Sequence, residues 1–215
     1  IFLLEQKIKS TFPISSLIGL FHPNITSGYD FFPSLLMEIG KAEHHIHLDT
    51  FIISDDPLGR IVADALIDKA RQGVEVRLIY DDVGSWRTPN SFFTRMRNEG
   101  VEVYAFMPVR FPAFTSRVNY RNHRKICVID GEVGFIGGMN IARRYVQGTV
   151  RQPWRDTHVK ITGSAVYGLQ RAFLVDWYFV SKILITERSY YPEIIIGQND
   201  NLVQVVTSRD RKSVV

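Results

Sequence analysis

Apolar residues along the chain fall into two rhythms that alternate. From Asp30 to about Ala42, Phe31, Leu35, Met37 and Ile39 recur among polar positions as a helix requires, and Asp30 is a fitting N-cap. His45 to Ile53 reads as a strand. Ser54-Asp55-Asp56-Pro57 ends it and caps a second helix, Leu58 to Gln72, with Ile61, Ala65, Leu66 and Ala70 as apolar positions and Gly73 as the stop. Val74 to Tyr80 is the next strand, ending in Asp81-Asp82. Thr88-Pro89 opens a helix to about Asn98, Gly100 terminates it, and Val101 to Phe106 is a third strand. Strand, helix, strand, helix, strand at this spacing predicts parallel pairing with helices covering the sheet.

Beyond Val101–Phe106 the pattern shortens. Ile126 to Ile129 is a β-branched run fit for a buried strand, Asp130-Gly131 is a turn, and Val133 to Ile136 is its hairpin partner. A strand follows around His158 to Ile161. Gly163-Ser164 then caps a long helix, whose Val166, Leu169, Phe173, Trp177, Val180 and Leu184 make one apolar stripe. A strand over Leu202–Val206 closes the chain. Near the start, Ser15 to Phe21 is apolar and short, a strand or packed loop in preference to a membrane-surface segment. The class expected is α/β, a mixed, largely parallel sheet with helices on both faces.

With 215 residues and 45% apolar content, the chain is long enough for one domain with a full core. A net charge of +4 suits an anionic partner, phospholipid or nucleic acid, without choosing between them. The single cysteine, Cys127, excludes an intrachain disulfide and falls in the core strand, where packing is the simpler reading. His44, His45 and His47 are close in sequence, but only His45 and His47 share a strand face, and no pair has zinc-ligand spacing, so no metal site is expected. No apolar run reaches the length of a membrane-spanning helix. The first residue is Ile1, so an excised piece of a longer protein, with an anchor before it and a second half after it, is the expectation.

The chemistry gathers around the hairpin. Strand alternation puts His123 and Lys125 on one face, roughly 7 Å apart at the strand's mouth. A neutral imidazole beside a fixed ammonium suits attack on a phosphodiester: the ring supplies the nucleophile and the cation holds charge on the non-bridging oxygens. Asn140 can add an amide donor, and Gly137 and Gly138 let backbone approach the strand end. Asp130, at the turn, reads as structural. Asp81 and Asp82 end a parallel strand where such sheets bind ligands, although a turn role fits them equally. Arg110, Arg117, Arg121 and Arg124, with Phe111, Pro112, Phe114 and Tyr120 between them, suit either nucleic-acid stacking or a lipid headgroup under an interfacial loop.

The spacing His-x-Lys-x4-Asp-x6-Gly-Gly-x-Asn, filled by His123, Lys125, Asp130, Gly137, Gly138 and Asn140, resembles the signature of the phospholipase D superfamily. The flanking Asn119 to Lys125, Asn140 to Tyr145 and Trp154-Arg155-Asp156-Thr157-His158 resemble bacterial cardiolipin synthases, over most of the chain from about Gly28. That resemblance implies a catalytic half-domain over residues 28–200, a lead segment over 1–27 and the start of a second half over 201–215. It implies a phosphatidyltransferase without cofactor that makes cardiolipin from two phosphatidylglycerols through a phosphohistidine, at the cytoplasmic face of the inner membrane. It implies that Asp156 bonds the far ring nitrogen of His123, raising the imidazole pKa; Arg121, Arg124 and Arg110, as basic residues gathered before the signature, are the candidates for substrate contact. The family usually carries the signature twice, and here it occurs once, so a second signature-bearing half is an expected partner. The alternatives are a homodimeric phosphodiesterase or nuclease of the same superfamily, and a silent half that binds anionic surfaces.

Overall fold

Elements change where the apolar rhythm changes. The computed structural model describes residues 18–21, 25–108, 121–148, 154–193, 201–202 and 205. In chain order these form β1 (Ile18–Phe21), α1 (Gly28–Lys41), β2 (His45–Thr50), α2 (Pro57–Arg71), β3 (Glu75–Asp81), α3 (Asn90–Asn98) and β4 (Glu102–Phe106). There follow β5 (Ile126–Ile129), β6 (Val133–Gly137), the single turn α4 (Arg144–Gln147), β7 (His158–Gly163), α5 (Val166–Ser181) and β8 (Asn201–Leu202).

The strands make one 8-stranded sheet in the order β4-β3-β2-β5-β6-β7-β1-β8. Pairing is parallel for β2 with β3 and β3 with β4, where a helix carries the chain back each time. From β2 to β5 onward every neighbour pair is antiparallel. The mixed α/β sheet with two covered faces is as expected; the parallel character belongs to its first half, because the second is built from a hairpin and returning strands. β1 and β8 come from the two flanking segments and complete one edge of this sheet.

Alternation along the strands divides the core. Ile46 and Leu48, Leu78 and Tyr80, and Cys127 and Ile129 face the layer of α1, α2 and α3. Ile126 and Val128 face α5 with Val166 and Leu169, while Ile79 meets Phe173 and Trp177 farther along the same helix. Trp177 and Phe173 are fully buried; each such side chain contributes roughly 2–3 kcal/mol by leaving water.

Several helix faces differ from the sequence reading. In α1 the stripe is Phe31, Leu35 and Ile39, and Met37, half a turn away, is 52% exposed. In α2 the core face is Val62, Ala63, Leu66 and Ile67, and Ile61 is exposed, so the buried face is rotated by one residue. The cap of α2 is as read: the Asp56 carboxylate accepts from the backbone N–H of Leu58 and Gly59. The α5 stripe stops early, because Lys182 adopts φ +64 and Ser181 Oγ accepts from the Ile183 N–H, leaving Ile183 and Leu184 exposed. β2 ends at Thr50 because the chain turns toward the segment after β6, where Ile53 bridges Ile141. Among the described residues no helix is long and apolar enough to cross a membrane.

Candidate active site

The approach to His123 is held by carboxylates beneath it. Asn122 is buried, its backbone N–H donates to Asp81 Oδ2 at 3.1 Å, and its amide donates to Asp49 Oδ2 at 2.8 Å. Asp81 Oδ1 also accepts from the N–H groups of Val83 and Gly84, so it serves both as a turn residue and as an anchor for the strand that carries the site. Arg124 donates to Asp176 of α5, and Arg121 reaches Asp81 Oδ1 at 3.5 Å. These two arginines, expected at substrate, are engaged with carboxylates of the fold. Arg110 lies outside the described residues, as do Arg117 and the aromatics near it. Asp49, Phe51 and Asp176 escaped the sequence reading; an acid within strand β2, on the same face as His45 and His47, was the available signal for Asp49.

His123 itself is exposed, while Lys125 is 5% exposed and sits at the start of β5. Lys125 Nζ lies 3.2 Å from His123 Nδ1 and donates to the His123 carbonyl at 2.6 Å. Phe51 walls the pair, its ring 4.7 Å from the His123 ring and 5.4 Å from Lys125 Nζ. Partial burial and then the Lys125 charge lower the His123 pKa, which keeps the ring neutral at pH 7. Burial likewise lowers the Lys125 pKa to about 8, opposed by Asp156 and Asp49. The expected rise in the His123 pKa is therefore reversed. The reason is geometric: Nδ1 faces an ammonium, not a carboxylate.

Asp156 is placed instead against the backbone before Asn140. Its Oδ1 accepts from the Thr157 N–H at 2.8 Å, and a Cβ added to Gly138 would lie 2.0 Å from that oxygen. A Cβ on Gly137 would meet the Thr157 carbonyl at 2.4 Å and the His158 ring at 2.6 Å. Neither glycine has the positive φ that would demand one. Close approach of Asp156 and His158 is what excludes a side chain there.

Asn140 is buried, its Oδ1 accepts from the Ile52 N–H at 2.9 Å, and its amide donates to the Tyr145 hydroxyl. It braces the exit of β2 where the sequence suggested an open donor. Asp130, at φ +54, is structural in a longer-range way than a turn residue: its carboxylate accepts from the N–H groups of Glu43, His44 and His45 at 2.8, 2.9 and 2.9 Å. Cys127 is buried and its thiol pKa is pushed up to about 12, so it packs and does not react. Among the described residues no group of three or more His, Cys, Asp or Glu is arranged to hold a metal ion.

A family profile described as cardiolipin synthase, PLD-like domain, matches residues 35–171. A cardiolipin synthase of Geobacillus kaustophilus is 45% identical over 184 residues, which is 85% of this chain and 37% of that protein. One from Alkalihalophilus pseudofirmus is 43% identical over 186 residues, covering 86% of this chain and 37% of its own length. The chain thus spans little more than a third of these relatives. Among solved structures, NucT from Helicobacter pylori superposes with TM-score 0.60 at 15% identity, over 75% of this chain and 98% of that one. Nuc from Salmonella typhimurium, a phospholipase D family member, gives 0.56 at 16%, over 75% and 96%. At such identities these two speak for the fold alone.

Proposed function

Because the chain belongs to the cardiolipin synthase family of phospholipase D-like domains, we propose that it forms one half of a phosphatidyltransferase site, with phosphatidylglycerol as donor and acceptor and cardiolipin as product. The observation that carries this reading is the neutral, exposed His123 ring beside the Lys125 ammonium, at 3.2 Å, on the end of a core strand. The resemblance to the phospholipase D superfamily supplies the roles. The ring attacks phosphorus, a nitrogen–phosphorus bond forms, and the bond from phosphorus to the glycerol headgroup oxygen breaks. A histidine of the second half gives that oxygen its proton, then takes one from the hydroxyl of a second phosphatidylglycerol, which attacks phosphorus and releases His123.

Lys125 serves the phosphoryl oxygens, and doing so changes the ring. While Nδ1 accepts from the ammonium, a neutral imidazole carries its proton on Nε2 and has no free lone pair there. An arriving phosphate draws the ammonium toward its non-bridging oxygens. Nδ1 is then free to hold the proton, and Nε2 becomes the nucleophile. Membrane lipid, not nucleic acid, is the substrate surface in this reading.

The test is to quench the full-length protein during turnover on phosphatidylglycerol vesicles, under conditions that preserve phosphoramidates, and map the adduct by mass spectrometry. A phosphatidyl group on His123, absent in His123→Asn, is expected. Turnover with no adduct at residue 123, or with the adduct on the second half, would reassign the nucleophile. Cleavage of plasmid DNA at low salt in place of lipid transfer would select the nuclease reading.

A further inference from the structure

Across the sheet, His158 on β7 is in register with Gly137 on β6, and Lys125 continues β5 opposite that same glycine, its carbonyl accepting from the Gly137 N–H. Residues in one cross-strand row share a face, so His158 and Lys125 point the same way on either side of a residue without a side chain. Two strand spacings are about 9.6 Å, a gap that one lysine and one imidazole can close between them. The ring lies over Gly137, where a Cβ would come within 2.6 Å of it, and stacks on Phe31 with centroids 4.0 Å apart.

His158 is 2% exposed, and its Nδ1 is buried without a hydrogen-bond partner. Lys125 has three N–H donors and uses His123 as acceptor. Both side chains line one narrow cavity of about 10 Å³, with Thr50, Leu48 and Phe31 among its other walls. That is room for about one water molecule. A buried ring nitrogen without a partner and an ammonium with an N–H to spare thus face one small space. Leaving either unmade costs roughly 1–3 kcal/mol.

We propose that His158 is a positioning residue for Lys125: its Nδ1 accepts an N–H of the ammonium, directly or through one water, and holds the lysine aimed at the phosphoryl site beside His123. The groups around Lys125 are His123 from its own strand, Asp156 and His158 from the β7 side, and Asp49 of β2, whose charge acts from the opposite face of the sheet; α1 contributes only Phe31 and Leu35 to the cavity wall. Burial and the Lys125 charge press the His158 pKa down to about 3, so the ring stays a neutral acceptor at every working pH. A neutral acceptor stabilises the charged lysine without competing with the anionic substrate for it. The first glycine of the signature is then explained as the floor on which this ring lies.

This deepens the transferase reading and rests on it for its effect on turnover, but its first test does not. In the full chain, the Lys125 Nζ or Cε resonance, assigned by its loss in Lys125→Met, is titrated by NMR, and the 15N shifts of His158 report its tautomer. Lys125 is expected to titrate near pH 8, and His158 Nδ1 to be unprotonated and hydrogen-bonded. His158→Phe keeps the stack on Phe31 but removes the acceptor, so the Lys125 midpoint falls by half a unit or more; His158→Asn, with an amide oxygen near the same place, restores most of it. An unchanged midpoint in folded His158→Phe, or a protonated Nδ1 in the native protein, overturns the proposal, and the second readout decides even if the Phe variant fails to fold. In full-length protein the alkaline limb of the transfer rate should move to lower pH in His158→Phe and return in His158→Asn. A shifted Lys125 titration with no lipid transfer in any variant would count against the transferase reading and leave this inference standing.

Discussion

Asp130 shows how one residue of a catalytic signature can act entirely through backbone. Its carboxylate gathers the N–H groups of three successive residues at the start of β2, 85 to 87 positions away in sequence. Hydrogen bonds to an ionised acceptor are stronger than neutral ones, and replacing the acceptor leaves the donors to water or to nothing. Asp130→Ala is expected to lose about 2–3 kcal/mol of stability in denaturant unfolding, with Asp130→Asn recovering part. At permissive temperature the Ala variant should keep its Lys125 titration, since the carboxylate serves the entry of β2 and not its exit beside Phe51. A normal unfolding midpoint with abolished transfer would instead make Asp130 a participant in the chemistry.

Between elements, the contact of β2 with α5 is made from buried polar rings. The Gln170 carboxamide lies 2.7 Å from His47 Nδ1 and 3.3 Å from His45 Nε2, and Arg77 reaches His47 Nε2 at 3.1 Å. Arginine only donates, so His47 Nε2 accepts and its Nδ1 carries the proton. The structure sets Gln170 Nε2 toward His47 and Oε1 toward His45; a protonated His47 Nδ1 requires the two amide atoms to exchange places. Phe173 stacks on His47 with centroids 4.4 Å apart. Burial lowers the His45 pKa to about 4 and holds the His47 pKa well below the usual histidine value. A histidine whose folded pKa is depressed takes up its proton first in the unfolded chain. The stability it supports is full above about pH 6.5 and is lost as pH falls toward 4. Urea unfolding at pH 7, 6 and 5 should show a midpoint falling with pH, and His45→Gln should flatten that slope. A midpoint flat from pH 7 to 5 would contradict the buried neutral network.

For the whole molecule, the decisive feature is that a single signature histidine is present, and the proposed reaction uses it as the nucleophile. The reaction needs an acid on the opposite side of phosphorus, and loss of such a group costs about 10²–10⁴-fold in rate. The chain alone is expected to convert phosphatidylglycerol to cardiolipin slower than the full-length protein by at least that factor, measured on mixed-lipid vesicles, and adding the second half should restore turnover. Equal rates for chain and full-length protein would mean that the acid comes from within this domain or from a second copy of it.

What the sequence by itself determined was the succession of elements and the spacing of chemical groups along one strand. Periodicity, the Asp56 cap and the Asp130-Gly131 turn are local properties, so the hairpin, the helices and the facing pair of His123 and Lys125 were legible without a fold. Which side of α2 is buried was not, because its apolar residues straddle two adjoining faces and only packing against β3 and α1 selects Val62 and Leu66 over Ile61. The partners of the site were equally hidden. Asp49 and Asp81 reach Asn122 from strands 41 to 73 residues away, and Asp156 turns its carboxylate to Gly138 and the Thr157 N–H. His158 became visible as a neighbour of Lys125 only when antiparallel register laid both beside Gly137. Contacts of that kind depend on which strands pair and in what register, a property of the closed sheet and of no segment within it.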